Sequence, residues 1–208
     1  MAARRRPWLK PLAHGVMAIP LFFLVTGWVE LLWWNPASRA LTAEPVAYTH
    51  NALGLAALRA LLASLACTPI RRLTGWGQVM SLRRLLGLWA FAYAVLHLSF
   101  YLFAELELSL SALVAETVKR PFILAGMVAL TAMTPLAATS TSAAIKRLGA
   151  RRWQSLHRLA YLAGAAGTVH FILRVKGFQW EPWIYLLVLA LLLAVRALPG
   201  GALRFRTS

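Results

Sequence analysis

The 208-residue sequence contains no aspartate, a single cysteine and only six acidic residues, all of them glutamate. One cysteine excludes an internal disulfide, and without a CxxC or a Cys/His cluster there is neither a tetrahedral metal site nor a covalent haem attachment. Cys67, placed before Thr68 and Pro69 at the end of an apolar run, reads as a small buried hydrophobe. Charged residues make up 13% of the chain, too few to solvate the surface of a soluble domain. No GxGxxG or P-loop pattern occurs, and Gly75, Trp76 and Gly77 mark a turn only. Nor is there an acid at mid-membrane or a matched pair of Gly/Pro-broken spans, which argues against an ion-coupled transporter. Repeats, low-complexity segments and linkers are absent as well.

What the chain has instead is apolar surface: 60% of it is hydrophobic, with a mean hydropathy of +0.65. Six stretches approach membrane-spanning length: residues 12–34, 46–67, 82–103, 121–138, 153–173 and 182–198. The expected fold is therefore an all-α membrane protein, a bundle of six transmembrane helices forming one domain over residues 1–208. The basic start, MAARRRPWLK, resembles a signal peptide. The apolar run after it ends in WVELLWWNP rather than at a small-residue cleavage site, so it is read as a retained first span. Trp28, Trp33, Trp34, Trp180 and Trp183 lie at span ends, as an interfacial aromatic belt would.

The net charge of +16 reflects 22 Lys and Arg. In so apolar a chain it signals topology and contact with anionic lipids, not nucleic acid. Arg4, Arg5, Arg6, Lys10, Arg71, Arg72, Arg83, Arg84, Lys146, Arg147, Arg151, Arg152, Arg204 and Arg206 all fall on one side of the six-span scheme. The positive-inside rule then puts both termini in the cytoplasm. All six glutamates fall on the other side, where they form either an outward docking surface or solvated loop acids. The cytoplasmic arginines likewise have two readings, topology alone or recognition of a flavin phosphate or acidic donor.

Histidine inside hydrocarbon is costly and points to function. From the starts of their spans, His97 lies about 22 Å deep and His170 about 25 Å at helical rise. Both spans run outward, so the two imidazoles reach one level and form the natural axial pair for a single non-covalent haem b. His157, about 6 Å into its span, cannot share that level. Gly164 and Gly167, between His157 and His170 in the chain, remove side-chain bulk where something flat could approach the backbone. His14 and His50, near span ends, are further candidates, and His50 is on the side where it could approach the haem edge.

The strings RRLLGLWAFAYAVLHLSFY, KRPFILAGMVAL, PLAATST and LGARRWQSLHRLAYLAGAAGTVHF resemble the MsrQ (YedZ) family. These are haem-binding membrane subunits of the bacterial MsrPQ methionine-sulfoxide reductase system, within the wider ferric-reductase-like transmembrane group. The resemblance implies an electron-transfer subunit rather than the catalytic one. Electrons would come from the quinone pool or a cytosolic flavin reductase and pass to a periplasmic molybdopterin subunit, MsrP, that repairs oxidised proteins. It also implies a bacterial inner-membrane location and FMN beside haem, and it carries the family's histidines onto His97, His157 and His170. Two-haem members of the wider group have a further histidine fourteen residues before the first. Here that position is Arg83, which cannot ligate iron because it stays protonated. His157 is thus left as a quinone or flavin contact, or as a ligand of a second haem with a partner such as His14. The competing functions are a transmembrane ferric reductase component, disfavoured because 208 residues leave no room for a nucleotide-binding domain, and a cofactor-free transporter or assembly factor.

Overall fold

The computed structural model describes residues 7–198, and every regular element among them is helical. Helix α1 (Leu9–Val29) runs on through a π-helical turn, Glu30–Trp34, and is followed by α2 (Pro45–Thr74) and α3 (Arg83–Ala104). A short α4 (Leu110–Lys119) precedes α5 (Pro121–Ala138); α6 (Ser142–Leu148), α7 (Ala150–Leu156), α8 (Leu159–Arg174) and α9 (Trp180–Ala197) complete the order. Among the described residues, five helices are long and apolar enough to cross a membrane: α1 with its π turn, α2, α3, α5 and α9. Arg4–Arg6, Arg204 and Arg206, used above to orient the chain, lie outside the described residues.

The stretch expected to be one span over residues 153–173 is not one helix. It breaks at His157 and Arg158 into α7 and the 16-residue α8. At the break the ring of His157 folds back onto the preceding turn. The carbonyl of Trp153 receives both the backbone N–H and the Nδ1–H of His157, each at 3.0 Å. The imidazole stacks on the Trp153 indole at 3.8 Å between ring centres. Beyond it the ladder tightens to three-residue closures, Arg158 to Ser155 and Tyr161 to Arg158, the geometry of a 3₁₀ turn. The depths counted from Trp153 along one straight helix therefore do not apply to this stretch.

Helix α2 is the centre of the bundle. Half of its most apolar window is buried, against 11–22% for the other four spanning helices. Side-chain contacts give the directions. Ser64 in the second half of α2 bonds the carbonyl of Arg83 at the start of α3, whereas His50 near the start of α2 meets His97 near the end of α3. These two helices are antiparallel. In the same way α5 opposes α8, with Phe122 at its start on His170 near the end of α8, while Thr139 just past the end of α5 accepts from Trp153 of α7, which leads into α8. Cys67 is buried and bonds only the carbonyl of Ala63, as a small core residue would.

Helix α2 also extends to Thr74, well beyond the expected end at Cys67, with Pro69 inside it. Proline lacks the N–H that would bond the carbonyl four residues back. That carbonyl, on Leu65, is taken by Arg196 of α9 at 2.5 Å, while a second guanidinium nitrogen of Arg196 bonds the Tyr161 hydroxyl at 2.6 Å. Arg72 reciprocates by donating to the carbonyls of Val195 and Arg196 at the end of α9. The helix finally stops at Gly75, whose φ of 72° is left-handed and favours glycine. Arg196→Met leaves a buried carbonyl unpaired, at a cost of about 1–3 kcal/mol. A detergent thermal melt is expected to drop by about 5 °C. In a Pro69→Ala background, where the backbone supplies its own donor to Leu65, the drop should shrink to the part due to the lost Tyr161 bond.

Candidate functional site

His97 projects from α3 and His170 from α8, and their ring centres stand 6.0 Å apart with the planes near perpendicular. Each ring is fixed the same way. The Nδ1–H of His97 donates to the His50 carbonyl at 3.0 Å, and that of His170 to the Phe122 carbonyl at 2.6 Å. A carbonyl only accepts, so both neutral rings hold their proton on Nδ1 and leave the Nε2 lone pair available. This is the arrangement that second-layer partners impose on metal-ligating histidines.

Two glycines make room for these rings. A Cβ on Gly54 of α2 would lie 3.0 Å from Cε1 of His97, and one on Gly126 of α5 would lie 2.9 Å from Nδ1 of His170. Neither glycine stood out in the sequence, because each is paired with a histidine more than forty residues away. Gly164, expected to flank something flat, does not line the cavity; its missing Cβ admits the side chains of Leu65 and Leu189 at 3.2 and 3.3 Å. Gly167 does line it.

Both imidazoles open into a cavity of about 420 Å³ between α2, α3, α5 and α8, within the size range of ligand sites. Its deep wall is apolar, formed by residues such as Leu58, Leu61, Leu98, Met127 and Met133. Polar groups gather at its other end, where Asn51, Tyr101, Arg174 and Glu181 line it. Arg174 is held by the side-chain oxygen of Asn51. His50 belongs here too: its ring stacks on His97 at 4.2 Å and on Tyr101 at 5.5 Å, and its Nδ1 lies 3.2 Å from Glu105. An apolar pocket with one cationic group at its mouth suits a flat apolar ligand bearing acids at one edge. Among the described residues no group of three or more His, Cys, Asp or Glu is placed to hold a metal ion. A metal held by His97 and His170 would need further ligands from outside these side chains.

The remaining candidates stand apart. His157 lines neither this cavity nor the second one described below; with Nδ1 donating to Trp153, its Nε2 is also an open lone pair. His14 is the reverse case. Its Nδ1 accepts from the Trp89 indole N–H at 3.0 Å, so the neutral ring carries its proton on Nε2. His14 and Arg84 share the second cavity, whereas the carbonyl of Arg83 is occupied by Ser64. Of the six glutamates four have partners: Glu30 accepts from Ser38, Glu105 faces His50, Glu116 pairs with Arg120 and Glu181 with Arg59.

Apolar helices of spanning length around a cavity into which two preset imidazoles open are the architecture of a multi-pass membrane protein. Residues 49–168 match the family model described as ferric reductase like transmembrane component. A Brucella anthropi protein described as the haem-binding subunit MsrQ of protein-methionine-sulfoxide reductase is 44% identical over 189 residues, covering 90% of this chain and 84% of its own. The protein of the same description from Brucella ovis is 45% identical over 179 residues, covering 85% and 80%. The chain belongs to the ferric-reductase-like transmembrane family and, within it, to the MsrQ proteins.

Proposed function

We propose that this chain is a haem b electron-transfer subunit of a bacterial inner-membrane methionine-sulfoxide reductase system, with His97 and His170 as the axial ligands. The observation that carries this reading is the pair of rings 6.0 Å apart, each with Nδ1 committed to a backbone carbonyl. Metal–imidazole bonds of about 2 Å on either side of one ion require ring centres roughly 6 Å apart. The relatives named above are described as haem-binding, which agrees.

Haem b, when bound, supplies one-electron chemistry that the side chains lack. The chain's own contribution is to hold and insulate. The carbonyls of His50 and Phe122 orient the two imidazoles and raise their basicity. Gly54 and Gly126 let the rings sit against α2 and α5. The leucine and methionine wall excludes water, and Arg174 at the mouth offers a charge partner to acidic groups of the ligand. Electrons would enter at the opposite end, near His157 and the cluster of Arg71, Arg83 and Arg84, from the quinone pool or from a cytosolic flavin reductase with FMN. They would leave past His50 and Tyr101 to a periplasmic molybdopterin subunit of the MsrP type.

Absorption spectra of detergent-purified protein, oxidised and dithionite-reduced, with pyridine haemochrome quantification, test this reading. About one haem b per chain with a low-spin spectrum is the expected result. About two would require His157 to find a mate. Well-folded protein reconstituted without any haem uptake would leave only the fold.

A further inference from the structure

We propose that the groove between α1 and the start of α3 binds the phosphate of an anionic phospholipid, with an acyl chain lying along α3. Lys10, His14, Ser81 and Arg84 line one part of this cavity of about 410 Å³, and Leu88 and Ala92 continue its wall. Both cations are exposed. Among the described residues neither has an ion-pair partner: the acids that form pairs are Glu105, Glu116 and Glu181, at the other end of the bundle. Two uncompensated cations in one groove attract an anion. His14 adds a neutral donor, since its Nδ1 is taken by Trp89 and its proton is on Nε2.

The apolar wall selects among anions. Arg84, Leu88 and Ala92 recur every four residues on α3, so they form one stripe with the cation at its end. The stripe covers about 12 Å of helix. Leu88 and Ala92 are both exposed on the outside of the bundle, where a membrane lipid has access. A phosphate with an acyl chain attached satisfies both halves of the groove, and the chain matches the narrow stripe on α3; inorganic phosphate satisfies only the first. Basic pockets between helices at the positive end of a membrane protein are suited to such headgroups.

The test is native mass spectrometry of the full-length protein in detergent, titrated with phosphatidylglycerol or phosphatidylcholine of identical chains. The wild type is expected to retain phosphatidylglycerol preferentially. The variant K10Q/R84Q is expected to lose about 25-fold in affinity, since each cation near an anionic lipid is worth about fivefold. The charge-preserving variant K10R/R84K should keep most of it, and Leu88→Gln should weaken it with both cations present. Equal retention of the two lipids by the wild type overturns the proposal, whether or not the variants fold. So does undiminished binding in K10Q/R84Q. Inorganic phosphate and FMN are added as competitors. Displacement of the lipid by either at micromolar concentration would assign the groove to a soluble phosphate and overturn the lipid assignment, whereas persistence of the lipid supports it.

Discussion

His170→Ala is expected to abolish stable haem binding, and His97→Ala to weaken it severely. The two variants are not equivalent, for a reason visible in the site. His97 has a second imidazole, His50, stacked on it at 4.2 Å. Removing the His97 ring frees the space into which His50 can swing, so some haem with altered ligation is expected to survive. His170 has no such substitute: its ring neighbours are His97 and Phe122. Loss of an outer-layer partner alone costs about 10–100-fold in metal affinity, and loss of the ligand itself should exceed that. Haem per chain in His170→Ala should thus fall more than about tenfold by pyridine haemochrome. In His97→Ala/His50→Ala it should fall to the same level. His157→Ala should keep its haem content and instead be reduced more slowly by the donor. A low-spin, two-imidazole spectrum persisting in His170→Ala would sink the assignment.

The second large effect is expected from a residue that never touches the ligand's metal. Gly126→Val places a Cβ 2.9 Å from Nδ1 of His170, closer than side-chain carbons approach, and adds two methyl groups beyond it. The ring cannot retreat freely, because its Nδ1–H is committed to the carbonyl of Phe122 on the same helix, four residues earlier. Either the hydrogen bond breaks and the ring rotates, or α5 moves away from α8. Overpacking of this kind costs about 1–3 kcal/mol. The readout that separates it from general damage is ligation: the low-spin fraction should fall and haem should be lost several-fold faster to apomyoglobin. Gly54→Ala is expected to be milder, since the contact at 3.0 Å from Cε1 of His97 needs only a few tenths of an ångström. Gly164→Ala is the control. Its new methyl meets the ends of Leu65 and Leu189, so stability falls without a change in the haem spectrum.

These two glycines show where sequence reasoning stops. Hydropathy and span length are local, additive quantities, so the spans over residues 121–138 and 82–103 reappear as α5 and α3 to within a residue. Depth along a helix is also additive, at a fixed rise per residue. Counted along the expected spans, His97 and His170 come out at similar depths, and the structure brings them side by side, although the break at His157 and Arg158 means that the count for His170 did not follow a straight helix. Amino-acid order by itself determined that the chain is a helical membrane protein and pointed to His97 and His170 as a pair; that their rings meet depends on the packing of α3 and α8.

What the tertiary structure decided depends on groups far apart in the chain. Pro69 reads as the end of a helix until Arg196 supplies the missing donor to Leu65 from another helix. Residues 153–173 read as one span, but the helix breaks at His157 and Arg158, where the Trp153 indole is anchored on Thr139, the His157 ring bonds the Trp153 carbonyl, and the ladder passes to three-residue closures. The tautomers of His97, His170 and His14 follow from their partners His50, Phe122 and Trp89, and none of these is a sequence neighbour. Hydrogen bonds are directional and satisfied by whichever group arrives, so they are settled only when the helices pack. Apolar content specifies that the helices form and cluster; the partner of each polar atom is set by their packing.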